Sequence, residues 1–135
     1  MKRFFIITTI VALITILYTG CSDNYPIDED GLLITTRTEC YVSSFKLVDT
    51  GHQIVTTGDA VIDTLACTVH AEVFYGTDLK NLYPQFSLAT DAKLEPKITG
   101  FVDFSDLGNP KKYAVVSGNR KIQKLYTIHL SVQKP

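Results

Sequence analysis

The chain has 135 residues, 45% of them hydrophobic, and a formal net charge of −1. This length suits one domain with a hydrophobic core and excludes two. Acidic and basic residues are mixed and no basic run occurs, so nucleic acid is not an expected partner.

Residues 1–20 have the features of a signal peptide. Two basic residues precede an uncharged apolar run over residues 4–18, which is shorter than the roughly 20 apolar residues of a membrane-spanning helix. Two small residues then precede Cys21. The stretch resembles the lipobox of bacterial lipoproteins, which implies that Cys21 is the new N-terminus and carries a covalent diacylglycerol and an N-acyl lipid. An ordinary secretory signal with a chance cysteine is the alternative.

The residues after Cys21 bear on location. Several acyl chains anchor a protein stably to a membrane. The polar residues 22–24 resemble the acidic export tag that follows the lipidated cysteine in surface lipoproteins of the Bacteroidota. The sequence therefore predicts a lipoprotein anchored in the outer membrane and facing the cell exterior.

Cleavage changes the charge and the number of free thiols. It leaves 115 residues, with 11 basic and 14 acidic side chains and a net charge of −3. Cys40 and Cys67 remain, and the compartment permits a disulfide between them. Sequence alone cannot show that they are close, so a bridge and two buried thiols both stay open.

The mature chain begins with a polar, acidic segment. Residues 21–37 comprise the lipidated cysteine and a predicted tether, and residues 38–135 form the predicted domain. Strands are predicted at residues 40–48 and 53–57. The clearest alternation then follows, with one face made of Leu65, Cys67, Val69, Ala71, Val73 and Tyr75.

The second half of the domain continues the β pattern. Thr77 is expected to cap a helical turn at residues 78–82 that Pro84 stops, and residues 86–90 are another candidate strand. Residues 103–106 predict a compact turn with Phe104 pointing inward. A hairpin is predicted at residues 111–117 and 125–132, with its turn at residues 118–120. About seven short strands indicate an all-β chain and a β-sandwich.

Several segments resemble the small immunoglobulin-like domains of Bacteroidota surface lipoproteins. The resemblance covers roughly residues 38–133 and implies a single immunoglobulin-like β-sandwich. Such proteins accompany outer-membrane nutrient importers of the SusC/SusD kind, which are therefore implied partners. Two departures, Ala114 and the turn at residues 118–120, are interpreted as surface variation. The matching segments are residues 44–47, 76–84, 96–100, 103–105, 113–115 and 126–128.

The sequence contains no motif that clearly indicates a catalytic site or a metal-binding site. No nucleophile lies in a recognisable motif. The paired carboxylates of the chain, at residues 28–30 and at Asp103 with Asp106, lie in the tether and in a loop. His70 and Glu72 share the outward face of one strand and His129 faces outward on the last, so the two histidines meet only if those strands pair. Exposed sheet residues are the favoured interpretation. The sequence thus predicts no catalytic residue, no metal site and no cofactor beyond the lipid on Cys21.

Three aromatic residues are the best candidates for a contact surface. Phe74, Tyr83 and Phe101 interrupt the polar pattern near one end of the predicted sandwich. They could contact a glycan or a peptide partner, or cover the ends of the core. The leading hypothesis is a non-enzymatic accessory or docking subunit of a SusC/SusD-like nutrient uptake complex. A stand-alone carbohydrate-binding lipoprotein and a fimbrial or adhesin-type subunit are the alternatives.

Overall fold

A computed structural model of the protein describes residues 26–135. The predicted signal peptide and Cys21 lie outside the described residues. Residues 26–135 form seven strands, which confirms the all-β prediction, and contain no helix long and apolar enough to cross a membrane. The strands are β1 (Val42–Val48), β2 (Val61–Asp63), β3 (Thr68–Val73), β4 (Tyr83–Leu88), β5 (Lys93–Glu95), β6 (Lys111–Val116) and β7 (Gln123–Val132).

The strands form two sheets that enclose one core. One sheet pairs β1 with β4, and the other has the order β2-β3-β7-β6-β5. All strand pairs are antiparallel except β3 and β7, which run parallel. Packed sheets bury their facing side chains between them. The core side chains include Phe45, Leu47, Val69, Val73, Val115, Tyr126 and Ile128.

The alternation in β3 is confirmed only in its middle. Val69, Ala71 and Val73 are buried as predicted. Leu65 is 97% exposed and Tyr75 is 65% exposed, so the prediction is wrong at both ends. At the first end, the backbone N–H groups of Leu65 and the next residue donate to the Asp63 carboxylate at 3.0 Å, which forms a turn and ends the pleat.

The turn around Phe104 and the last hairpin are confirmed. Phe104 is 4% exposed, and the backbone N–H of Ser105 donates to the Asp103 carboxylate at 2.8 Å. The strands β6 and β7 pair antiparallel, with Tyr113 opposite Tyr126. The polar end of the turn thus faces solvent while its aromatic ring joins the core.

The region between β3 and β4 differs from the prediction. Residues 78–82 form a turn and no helix, because Leu82 instead pairs through its backbone with Val102. The side chain of Asp78 closes this turn by accepting from the backbone N–H of Lys80 at 3.0 Å. The strand begins at Tyr83, three residues before the predicted start, because β4 has only one neighbour and an edge strand tolerates Pro84.

The segment predicted as a tether packs against the domain. The backbone N–H of Thr35 donates to the Gly118 carbonyl oxygen at 2.9 Å, and that of Asn119 donates to the Arg37 carbonyl oxygen at 2.9 Å. A Cβ at Gly118 would lie 2.5 Å from the Thr35 hydroxyl oxygen. The β6–β7 turn therefore needs glycine at this point because the N-terminal segment passes directly over it.

Candidate functional site

Two of the three predicted aromatic residues lie side by side. Tyr83 begins β4, and Phe101 precedes Val102 in the loop before β6. Their rings pack edge to face, with centroids 6.2 Å apart and planes at 82°. Two backbone hydrogen bonds between Leu82 and Val102, of 3.1 and 2.8 Å, hold the adjacent residues together. Phe101 is 48% exposed, so the pair presents aromatic surface to solvent.

The third aromatic residue stands apart from this pair. Phe74 follows β3 and is 46% exposed. Its backbone N–H donates to the Val55 carbonyl oxygen at 3.0 Å. Within residues 26–135 its ring has no aromatic partner. The structure therefore does not join it to Tyr83 and Phe101 in a single aromatic cluster.

A groove of about 620 Å³ extends from Tyr83 along β4. It lies where the two-stranded sheet meets the edge strand β5 of the larger sheet. Half-buried apolar side chains of Phe86, Leu94 and Ile98 line it. The volume is within the range of small-ligand sites, about 300–1,000 Å³.

Polar groups line the same groove. Lys97 is exposed on the wall opposite β4. The exposed side chains of Gln85 and Ser87 point to the same face of β4 as Tyr83 and to the opposite face from Phe86, and Gln85 borders a smaller cavity there with Tyr83 and Phe101. Within the described residues β4 pairs with β1 alone, so its other edge also offers unpaired backbone groups. Aromatic planes beside hydrogen-bonding groups suit a ligand that presents both C–H surfaces and hydroxyl groups. Sequence reasoning missed Gln85, for which period-two alternation along β4 was the available signal.

One end of the groove is built on an ion cluster around the buried side chains of Lys93 and Asp28. The Lys93 ammonium is 6% exposed and lies 3.0 Å from a carboxylate oxygen of both Asp28 and Asp30. Glu29 and Glu95 lie 3.4 and 3.3 Å from the same nitrogen. Hydrogen bonds to Asp30 and then to Asp28 raise the pKa of Lys93 above its usual range. The carboxylates of Glu29, Asp30 and Glu95 are close enough to share a cation, and the Lys93 ammonium lies among them.

Arg120 joins this cluster from the β6–β7 turn. Its Nε donates to the Asp28 carboxylate at 3.0 Å, and its Nη2 donates to the Leu33 carbonyl oxygen at 3.0 Å. The turn at residues 118–120 is thus a structural contact, which corrects its interpretation as surface variation. The signal was missed because its partners lie about 90 residues away in sequence.

The two candidate disulfide cysteines are free thiols in the structure. The Cys40 thiol is buried and donates to the Val115 carbonyl oxygen at 2.8 Å. Burial raises the pKa of Cys40. Cys67 precedes β3 with a positive φ of 56°, and its thiol lies 3.7 Å from the Thr64 carbonyl oxygen. Each sulfur is therefore held by its own backbone partner.

The chain matches a known protein family over most of the domain. The family described as SGBP, N-terminal, matches residues 42–130, a range that extends from the start of β1 to within β7. The chain belongs to this family. None of the curated proteins matches the chain.

Solved structures from Bacteroides share the fold. A proposed glycoside hydrolase from Bacteroides thetaiotaomicron is 26% identical, with a TM-score of 0.59. The match covers 72% of this chain and 26% of that one, so this SGBP-family chain spans about a quarter of its length.

Two further structures match at lower identity and show the fold alone. A protein from Bacteroides fragilis, proposed to be secreted, is 15% identical with a TM-score of 0.53, and the match covers 71% of this chain and 97% of that one. A DUF4623 family protein from Bacteroides eggerthii is 16% identical with a TM-score of 0.53, over 72% of this chain and 22% of that one.

Proposed function

We propose that this protein is a non-enzymatic glycan-binding accessory protein of a Sus-type nutrient uptake system. The match to the SGBP N-terminal family over residues 42–130 carries the proposal. The groove beside Tyr83 and Phe101 supports it, because an open surface with aromatic and polar groups suits an extended, hydroxyl-rich ligand.

In this proposal the edge-to-face aromatic pair supplies the apolar contact. A sugar ring stacks its C–H face on an aromatic plane, while Gln85 and Ser87 meet its hydroxyl groups. The half-buried Phe86 and Leu94 line the adjoining groove along β4, where further units of the same sugar chain would lie. The groove is open along its length, so it suits a chain of sugars better than a single small molecule.

The proposed location is the outer surface of the cell. Cys21 would carry the diacylglycerol and the N-acyl lipid that anchor the protein in the outer membrane. A SusC/SusD-like transporter is the proposed partner there. Cys21→Ala should release the protein from membranes and abolish labelling by radioactive palmitate. Affinity isolation of the lipidated protein from native outer membranes should recover the transporter, and isolation without any stable partner would contradict this part of the proposal.

Glycan binding is tested by calorimetry on the full chain purified in detergent, after a glycan array has identified an oligosaccharide. Tyr83→Ala and Phe101→Ala should each weaken the affinity by about tenfold, which corresponds to about 1.4 kcal/mol. Tyr41→Ala is the matched control, since Tyr41 is also an exposed tyrosine, 41% exposed. It directly precedes β1, seven residues before Val48, which pairs with Tyr83; at about 3.4 Å per residue it lies about 24 Å from Tyr83.

The outcomes distinguish a wrongly placed binding site from a wrong function. Equal affinities for the wild type and both aromatic variants would show that the glycan binds elsewhere. The absence of any binding glycan would contradict the glycan-binding function and leave the transporter contact as the remaining role.

A further inference from the structure

Two histidines meet on the outer face of the larger sheet. His70 of β3 and His129 of β7 are direct partners in the parallel register. Their imidazole rings stack, with centroids 4.7 Å apart and planes at 11°. The sequence separates them by 59 positions, and only the parallel pairing of β3 with β7 brings them together.

An acidic residue stands in the next row of the same face. Glu72 follows His70 by two residues and pairs with Ser131 of β7. Side chains two residues apart on a strand point to the same side of the sheet. The Thr57 hydroxyl donates to the Glu72 carboxylate at 2.9 Å and fixes its position. Together these residues line a shallow cavity of about 340 Å³, which Asp59 also borders.

We propose that His70 and His129 bind a divalent transition metal ion, with Glu72 as a third ligand. Imidazole nitrogen suits Zn²⁺ and Ni²⁺, and carboxylate oxygen completes such sites in proteins. Water fills the remaining positions because the cavity is open to solvent.

Metal binding requires the three side chains to move. Among residues 26–135 only Glu29, Asp30 and Glu95 have potential ligand atoms that all lie within 4.8 Å of one another, so the Glu72 carboxylate and the two imidazoles have to approach one another. Metal–nitrogen distances are about 2.0–2.1 Å, so the two rings must tilt toward each other from their parallel arrangement. Solvent borders both imidazole rings and leaves room for this tilt, because His70 is exposed and His129 is only half-buried. The backbone does not have to move, since in-register neighbours on paired strands already hold the two Cβ atoms close together.

The charges around the pair favour a cation. Glu72 and Asp59 both border the cavity. The nearest basic residue on this face is Lys112 of β6. It pairs with Thr127 of β7, which lies two residues before His129. A bound dication would be the counter-charge of the two carboxylates.

The test is calorimetric titration of the full chain in detergent with Ni²⁺ and with Zn²⁺. We expect one saturable site per chain. His70→Asn and His129→Asn should each weaken the affinity by at least tenfold, because even outer-shell changes cost about 10–100-fold at metal sites. Glu72→Gln should cause a smaller loss.

The controls use the third histidine and harder cations. His52 is also exposed but lies in the β1–Ile54 turn, and at its φ of 61° asparagine is well tolerated. His52→Asn should leave the affinity unchanged, and Mg²⁺ should give no saturable heat because it prefers oxygen ligands.

Proton NMR of the imidazole signals supplies an independent readout. Zn²⁺ should shift the His70 and His129 signals and leave those of His52 in place. No saturable binding to the wild type, or equal binding by both His→Asn variants, would overturn the proposal. Equal loss of affinity in His52→Asn would overturn it as well.

Discussion

The ion pair between Lys93 and Asp28 connects the N-terminal segment to β5, the edge strand of the five-stranded sheet. The Lys93 ammonium lies 3.0 Å from the Asp28 carboxylate, and the two side chains are 6% and 3% exposed. Asp28 also accepts from the Arg120 guanidinium at 3.0 Å. Asp28, predicted to lie in a tether, is therefore the most enclosed carboxylate of the ion cluster around Lys93. This cluster and Arg120 together form a clamp, which closes one end of the groove.

Lys93→Ala should loosen the N-terminal segment. Among residues 26–135 the substitution leaves the enclosed Asp28 carboxylate with Arg120 as its one charged partner, and a buried charge that loses a partner is destabilising. We expect a Tm several degrees lower and faster proteolytic cleavage within residues 26–37. Lys134→Ala, at the exposed C-terminal end, is the control and should change neither. Unchanged cleavage in Lys93→Ala would show that backbone contacts alone hold the segment.

Acid should weaken the same clamp. The backbone N–H of Leu32, followed by Lys93 and Arg120, holds the pKa of Asp28 well below its usual range. The unfolded chain therefore takes up this proton first as the pH falls. The contribution of Asp28 is fully present above its unfolded pKa of about 3.9, and it is lost as the pH falls from there toward the folded value.

We expect the Tm of the wild type to fall more steeply between about pH 5 and pH 2 than that of Asp28→Asn. Calorimetry at several pH values measures the two slopes. Asp78 and Asp103 also have lowered pKa values, through hydrogen bonds from Asn81 and Ser105, so the variant keeps some acid sensitivity. Parallel slopes would show that Asp28 is no better stabilised in the folded state than in the unfolded one.

Phe104→Ala should be strongly destabilising. The ring is 4% exposed and belongs to the core, and truncation of a buried phenylalanine costs about 3–5 kcal/mol. Leu65→Ala is the contrasting change because Leu65 is 97% exposed, and it should stay within about 0.5 kcal/mol of the wild type. Urea unfolding measures both. A small effect of Phe104→Ala would mean that the turn at residues 103–106 folds without its aromatic anchor.

Tyr126→Phe should cost nothing or stabilise the protein. The Tyr126 side chain is fully buried, and within residues 26–135 its hydroxyl forms no hydrogen bond of regular geometry, although the Val42 backbone lies near it. An unsatisfied buried hydroxyl carries a penalty of about 1–3 kcal/mol, which phenylalanine removes. Tyr126→Ala, which also removes the ring, should cost about 3–5 kcal/mol. A loss of more than about 1 kcal/mol in Tyr126→Phe would reveal a hydrogen bond to that hydroxyl.

Local patterns predicted much of the fold. Alternation identified the buried face of β3 at Val69, Ala71 and Val73, because a pleated strand imposes a period of two. The turn at Asp103 was also predictable, since an aspartate that bonds its own backbone needs no distant partner. Where a pattern ran into a turn, as at Leu65, the same reasoning failed, because only the turn geometry decides where the pleat ends.

The sequence by itself determined the all-β class, the core of β3 and the β6–β7 hairpin, along with three candidate aromatic residues. It did not reveal β5, and residues 53–57, predicted as a strand, form only isolated bridges at Ile54 and Thr56. Tertiary structure alone decided that Tyr83 meets Phe101 without Phe74, and that His70 stacks on His129. It also decided that Asp28 is clamped by Lys93 and Arg120. The physical reason is separation along the chain. Propensity and period act between near neighbours, whereas these contacts depend on which sheet edges pair and on where the N-terminal segment crosses them.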